Sequence, residues 1–135
     1  MIIVLDTNVL VSGIINPHGP PGHIVDLMRA GELRLAVDDR ILSEYADVLR
    51  SPRLASYFAG RDVEHILEYL LGNSERLIAT TRIAGLPDEH DAPFLELAKS
   101  AGTILVTGNL KHFPVRKRSG VTVESPAEFV QRFKS

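Results

Sequence analysis

Ile2-Ile3-Val4-Leu5 is a run of four aliphatic residues that stops on a carboxylate, Asp6. A continuous apolar run, unlike an alternating one, describes a strand covered on both faces, as in a parallel sheet with helices above and below it. Asp6 then stands where such a strand leaves the sheet, at the carboxyl end, which is where open α/β folds place their ligands. Thr7 and Asn8 follow with short polar side chains that can cap a helix or hold the carboxylate in one rotamer. An Asp after a strand is also an ordinary turn former or helix cap. The functional reading therefore depends on whether other acids converge on the same edge.

The rest of the chain repeats the strand-then-helix alternation. Val9 to Ile15 continues apolar and begins a helix from the Asp6-Thr7-Asn8 corner. Asn16 to Gly22, with three prolines and two glycines, reads as a loop. A short helix over His23–Ala30 precedes a strand over Leu33–Val37, and Asp38 or Asp39 caps a helix to about Arg50. Leu54–Phe58 reads as a further helical turn, and Asp62 as the cap of a helix through Leu71. Arg76–Thr80 is a weaker third strand, followed by an acid-rich loop from Ile83 to His90. Asp91–Ala101 is a helix closed by Gly102, and Thr103–Thr107 is another buried strand. Val121–Val123 is a short fifth strand. Ser125-Pro126-Ala127-Glu128 combines a capping Ser, Pro at the first helical position and Glu at the third, which starts a last helix. The pattern is a three-layer α/β/α arrangement with a parallel sheet of about five strands, in one domain over residues 1–135.

Composition narrows the class. A net charge of −2 gives no global basic field, so nucleic-acid contact has to come from a local patch. Without cysteine, disulfides and thiolate metal sites are excluded. The apolar start is five residues with no basic leader, and no stretch could span a bilayer. The expectation is a cytoplasmic globular domain.

The acids can now be placed. On the helix from Asp39, residues Ile41, Leu42, Tyr45, Val48 and Leu49 form the buried arc, and Glu44 lies at its rim. On the helix from Asp91, Phe94, Leu95, Leu97 and Ala98 define the inward face, and Asp91 projects within the same arc. Asp88, three residues earlier, could supply a second carboxylate or could itself be the cap. Asp6 and Asn109 both follow apolar strands and so emerge at one edge of a parallel sheet. Oxygen donors without cysteine or a His pair suit a hard cation such as Mg²⁺ or Mn²⁺. Such sites recur in enzymes that cleave phosphodiesters with metal-activated water.

Four segments, taken together, carry a resemblance. They are Ile3 to Leu10, Ser43-Glu44-Tyr45, Asp88 to Leu95 and Val106 to Phe113. In order and spacing the chain resembles PIN-domain proteins, and most of all the VapC-like toxin ribonucleases of bacterial toxin–antitoxin pairs. The resemblance implies strand order 3-2-1-4-5 and Mg²⁺- or Mn²⁺-dependent endoribonuclease activity. It also implies a small antitoxin partner over the acidic cleft, and a homodimer. By position, Asp6, Glu44 and Asp91 match the family's acidic triad and Asp88 an accessory acid, with Thr7, Asn8 and Thr107 in support. Asn109 stands where many members carry a fourth Asp after the Thr-Gly turn, and its amide brings no charge. One metal in the free protein is therefore expected, ligated chiefly by Asp6 and Asp91, with Glu44 positioning water.

Past the proposed site, Lys111, Arg116, Lys117 and Arg118 form a basic segment able to grip RNA phosphates, or simply a solvated loop. The five histidines lack a paired spacing and read as surface residues; only His90 and His112 are candidates for the site. A phospho-acceptor domain would need an acid pair at the first strand and an acceptor Asp after the third. Here Asp6 is single and the third strand ends Ala79-Thr80-Thr81. The other alternative is a non-catalytic RNA- or protein-binding module on the same fold.

Overall fold

The computed structural model describes residues 1–58 and 60–134. Its elements are β1 (Ile2–Leu5), α1 (Thr7–Ile15), α2 (Pro20–Arg29), β2 (Arg34–Val37), α3 (Asp39–Leu49), α4 (Gly60–Asn73), β3 (Glu75–Arg76), α5 (Ala92–Ala101), β4 (Leu105–Val106), β5 (Val123–Glu124) and α6 (Pro126–Lys134). All strand pairings are parallel, in the order β3-β2-β1-β4-β5. This is the expected architecture. Because the order reverses at β1, crossover helices fall on both faces of the sheet, and α2 packs on α6 while α3 packs on α5. The core follows from the apolar runs: Ile3, Val4, Leu5, Leu105 and Val106 are all solvent-free, sealed by Ile24, Ile41, Phe94 and Phe129.

Register decides what meets at the carboxyl edge. Val4 pairs with Leu105 and Leu5 with Val106, so the next residue on each strand, Asp6 and Thr107, leave the sheet side by side. The pairing continues through the backbone, Asp6 N–H donating to Val106 O at 2.9 Å. Asp6 thus lies at the point where strand order reverses, the crevice where parallel sheets bind ligands.

Several boundaries differ from the sequence reading. Pro20, Pro21 and Gly22 are the first turn of α2 and not the end of a loop: prolines lack only N–H groups that a helix start leaves unpaired. Gly22 is required there, because a Cβ would lie 2.3 Å from Pro17 O. The helical turn near Leu54 is a 3₁₀ helix over Pro52–Leu54, set by Ser51 and Pro52. Helix α4 begins at Gly60, before Asp62, and passes through Gly72 to Asn73. Strand β3 covers only Glu75–Arg76, although Leu77 N–H still donates to Val37 O at 2.9 Å. Asp38, and not Asp39, caps α3, its carboxylate accepting from Ile41 N–H at 3.0 Å. The reciprocal Ser125–Glu128 capping box forms as read, at 3.1 and 2.9 Å. Among the described residues, no helix is long and apolar enough to cross a membrane.

Candidate functional site

Asp6 occupies the N-cap position of α1, yet its side chain caps nothing. Its Oδ2 accepts instead from the Thr107 hydroxyl at 2.7 Å, the contact that the β1–β4 register prepares. Asp6 as a whole is 6% exposed, and burial raises the pKa of its carboxylate above the ordinary value. The Thr107 hydroxyl, the Thr7 N–H and the charge of His112 oppose that rise. A helix-capping role, the plain alternative for Asp6, is therefore not what this side chain does.

Glu44 reaches the same edge from α3. The buried Tyr45 hydroxyl donates to Leu5 O, the last carbonyl of β1, and so ties α3 to the residue before Asp6. Burial, followed by the negative charges of Asp6, Glu44 and Asp38, holds the Tyr45 hydroxyl well above its usual pKa, so it stays a donor. One residue away, the half-buried Glu44 accepts from the Thr7 hydroxyl. Thr7 accordingly steadies Glu44, while Thr107 steadies Asp6. Asn8 is exposed and joins neither contact.

Asp91 sits at the N-cap position of α5, again without a capping side-chain bond. Its pKa is raised, first by burial and then by the negative charge of Asp6, which places the two carboxylates in one field. His112 Nδ1 lies 2.9 Å from Asp91 Oδ2. That oxygen is shut off from solvent and receives no well-directed hydrogen bond, yet the charge of the neighbouring His112 opposes the rise in its pKa, so the contact is an electrostatic one. Asp88 takes the capping option: it caps the 3₁₀ turn Glu89–Asp91, accepting from His90 N–H at 2.9 Å, and those bonds lower its pKa.

Asn109 belongs to this edge too. Its backbone N–H donates to the Thr107 hydroxyl at 3.1 Å, and its Nδ2 lies 2.9 Å from His112 Nε2. Asp6, Thr107, Asn109, His112 and Asp91 thus form one continuous arc of contacts. Sequence reading kept only His90 and His112 as site candidates among the histidines, and of the two it is His112 that joins this arc. The available signal was its spacing of three from Asn109, since residues i and i+3 eclipse on a 3₁₀ turn, here Leu110–His112. In the basic segment, Lys117 Nζ donates to Gly85 O at 2.6 Å and Arg118 Nε to Phe113 O at 2.7 Å, so both brace the loop. Lys111 and Arg116 are exposed, with no partner among the described residues.

As the side chains stand, no three acid or histidine groups among the described residues close on a common ion position. The donor set is nonetheless that of a hard cation: carboxylates and an amide, no thiolate, and one buried carboxylate oxygen without a donor. A cleft of about 430 Å³ opens nearby, lined by Asp38, Asp39, Arg40, Arg76 and Arg82 among others, but it contains none of the three candidate acids.

The profile of the PIN domain matches residues 2–111 of the chain. An uncharacterized protein of Methanocaldococcus jannaschii is 29% identical over 140 residues, covering 97% of this chain and 90% of its own. Among solved structures, the chain resembles VapBC2 from Rickettsia felis, bound to a DNA fragment from its promoter. The TM-score is 0.60 at 18% identity, covering 93% of this chain and 98% of that one. It also resembles FitAB bound to an IR36 DNA fragment, with TM-score 0.54 at 18% identity over 93% and 95% of the two chains. At that identity the structural likeness is one of fold, whereas the family match spans β1 to β4 and every candidate acid. The chain belongs to the PIN-domain family.

Proposed function

We propose that this chain is a metal-dependent endoribonuclease, the toxin of a toxin–antitoxin pair. The observation that carries the reading is the pair Asp6 and Asp91 at the strand-order reversal. Both are drawn out of water, both have raised pKa values, and among the described residues neither is paired with an arginine or lysine. A fold that draws like charges out of water with only a histidine beside them is less stable for it, and a bound cation relieves the cost. Asp6 and Asp91 would hold that cation, and Glu44 would orient the attacking water. When bound, the ion supplies Lewis-acid polarisation of the phosphodiester and a water acidic enough to yield hydroxide near neutral pH.

Within the chain, each residue has a definite task. Thr107 fixes the rotamer of Asp6, and Tyr45 fixes α3 so that Glu44 stands beside it. The Thr7 hydroxyl holds Glu44 as it is, so Glu44 must exchange that contact for a water as substrate enters. Lys111 and Arg116, exposed and unengaged, are available to RNA phosphates leaving the edge. The likeness in fold to VapBC2 and FitAB supports a small antitoxin as partner, and the family resemblance supports a homodimer.

The test is cleavage of single-stranded RNA and of tRNA and rRNA fragments by purified chain with Mg²⁺ or Mn²⁺. Wild type should cut, and Asp6→Asn should not. Equal rates for the two proteins would overturn the assignment. Binding of RNA without cleavage by either would favour the non-catalytic module.

A further inference from the structure

The cleft beyond β2 is a surface distinct from the acidic edge beside it. We propose that it seats the RNA strand next to the cut, with Arg76 and Arg82 taking phosphates and the aliphatic floor around Ile78 taking a base. The proposal rests on the ribonuclease reading above and gives that reading a substrate path, on residues outside the acidic pattern.

Position is the first support. Ile2 pairs with Arg34 and Ile3 with Leu35. Carried to the strand ends, that register sets Asp38, in the wall of the cleft, abreast of Asp6. The two are one strand spacing apart, about 4.8 Å across a sheet. Arg40, also in the wall, lies four residues before Glu44 on α3, and residues so spaced share a helix face. An RNA strand held at Asp6 and running toward β2 enters this cleft directly.

The cleft is also built before any strand arrives. Its volume of about 430 Å³ suits a nucleotide-sized group. The floor is the chain that continues β3, pinned along its length. Leu77 N–H donates to Val37 O, Thr80 N–H to Ser100 Oγ and Ile83 N–H to Glu96, at 2.9, 2.9 and 2.8 Å. Ile78 is nonetheless 85% exposed. A large aliphatic side chain left in water between arginines offers its surface to the face of a base.

Charge decides which arginines are available. Arg40 is committed, since it bridges Asp38 and Glu96 and neutralises both. Arg76 and its partner Asp39 have side chains 56% and 85% exposed, and a pair so exposed contributes little. A phosphate can therefore displace Asp39 at small cost. Arg82 is 77% exposed, 4.0 Å from Glu96, and its Nη1 donates to Thr81 O at 3.2 Å. Most of its planar fork still points at water, and that fork matches phosphate oxygens. With Arg40 committed, the cleft presents two cations against one exposed carboxylate. An acidic protein segment would meet the same two cations, but continuity with the acidic edge favours RNA.

The experiment uses the full chain and a short fluorescent single-stranded RNA. Binding is read without divalent ions across a salt series, and cleavage is read with Mn²⁺. The double variant Arg76→Ala/Arg82→Ala should lower the slope of log Kd against log salt by about 1.4, the share of two phosphate contacts on a single strand. Its KM should rise about tenfold while kcat stays within about twofold. Arg82→Ala alone, at a position that anchors no helix, should lower the slope by about 0.7, and Arg82→Lys should restore it. A salt slope and KM unmoved in the double variant would overturn the proposal. So would a double variant that keeps its RNA affinity and loses an acidic protein partner instead. The Asp6→Asn comparison separates the two levels. If Asp6→Asn stops cleavage while the arginine variants bind RNA as wild type does, only the cleft assignment falls. If wild type neither binds nor cuts RNA, the ribonuclease reading falls and takes the cleft with it.

Discussion

Beyond Val37, at the carboxyl end of β2, the acids Asp38, Asp39 and Glu96 all face arginines. Beyond Leu5, one strand away, Asp6, Glu44 and Asp91 face hydroxyls, a histidine and one another. On the β2 side, Arg40 donates to Asp38 at 2.8 Å and to Glu96 at 2.6 Å, and Arg76 pairs with Asp39. Glu96 is 3% exposed, and its other oxygen accepts from Ile83 N–H at 2.8 Å, so this buried acid is fully satisfied. Both halves of the edge draw their acids from strand ends and from the helices α3 and α5. Only one half compensates them. Compensated acids are the chemistry of a joint: here they tie α3, α5 and the segment after β3 together. Uncompensated ones hold charge in reserve for something that arrives from outside.

The largest test of this contrast is functional. Asp6→Asn or Asp91→Asn should lower RNA cleavage by about 10³-fold, roughly 4 kcal/mol of transition-state stabilisation, with circular dichroism unchanged. The matching cut on the other half should act on stability. Arg40→Ala leaves Glu96 buried without its cation, and breaking such pairs costs about 3–5 kcal/mol when both partners are buried. Arg40 keeps 40% of its side chain exposed, so about 2 kcal/mol is expected, read as a lower urea midpoint. A destabilisation by Asp6→Asn as large as that of Arg40→Ala would erase the distinction between the halves.

How much of this was legible in the sequence follows from the range of the interactions. The runs Ile2–Leu5 and Leu105–Val106 announce buried strands because burial on both faces demands unbroken apolarity. The third strand, read over Arg76–Thr80, is displaced to Glu75–Arg76, since β3 is an edge strand placed by its neighbour. Asp6, Glu44 and Asp91 could be placed because strand ends and helix faces are local properties. Arg40 and Glu96 could not be paired, being 56 residues apart with no periodicity linking them. Tyr45 was legible as core, but the task of its hydroxyl was not, because the partner is a backbone carbonyl 40 residues away. The arc from Thr107 to His112 is local, yet it depends on 3₁₀ geometry that no apolar pattern reveals.

The uncompensated acids also predict a response to acid. Asp6 and Asp91 have folded pKa values raised above the 3.8 of the free side chain. Their contribution to stability is therefore full below 3.8 and is lost as pH rises through the folded values. The metal-free protein should gain stability as pH falls from neutral toward that window, and Asp6→Asn should flatten the gain. Asp88, with its lowered pKa, works in the other direction only below 3.8. At neutral pH, Mn²⁺ at tenfold excess over its Kd should restore about 1.4 kcal/mol, seen as a rise in Tm for wild type and none for Asp6→Asn. A melting temperature indifferent to both pH and Mn²⁺ would mean that the β1 half is as well compensated as the β2 half.

The smallest expected effect adds charge where compensation is already lacking. Asn109 contributes a dipole to the edge and is engaged with His112. Asn109→Asp places a further negative charge near Asp6 and Asp91, so the metal-free protein should melt lower. With a divalent ion present the sign reverses. The new carboxylate attracts the ion directly. Half-buried, the group should add about 1 kcal/mol to divalent binding, close to fivefold in Kd. Calorimetric titration of Mn²⁺ into both proteins reads the affinity and the number of sites, and wild type should show one. Two equal sites in wild type would mean that the edge already carries enough charge for a pair of ions. A Kd unmoved by Asn109→Asp, together with an unmoved metal-free Tm, would place residue 109 outside the electrostatic reach of Asp6 and Asp91, and the uncompensated region would then end at Thr107.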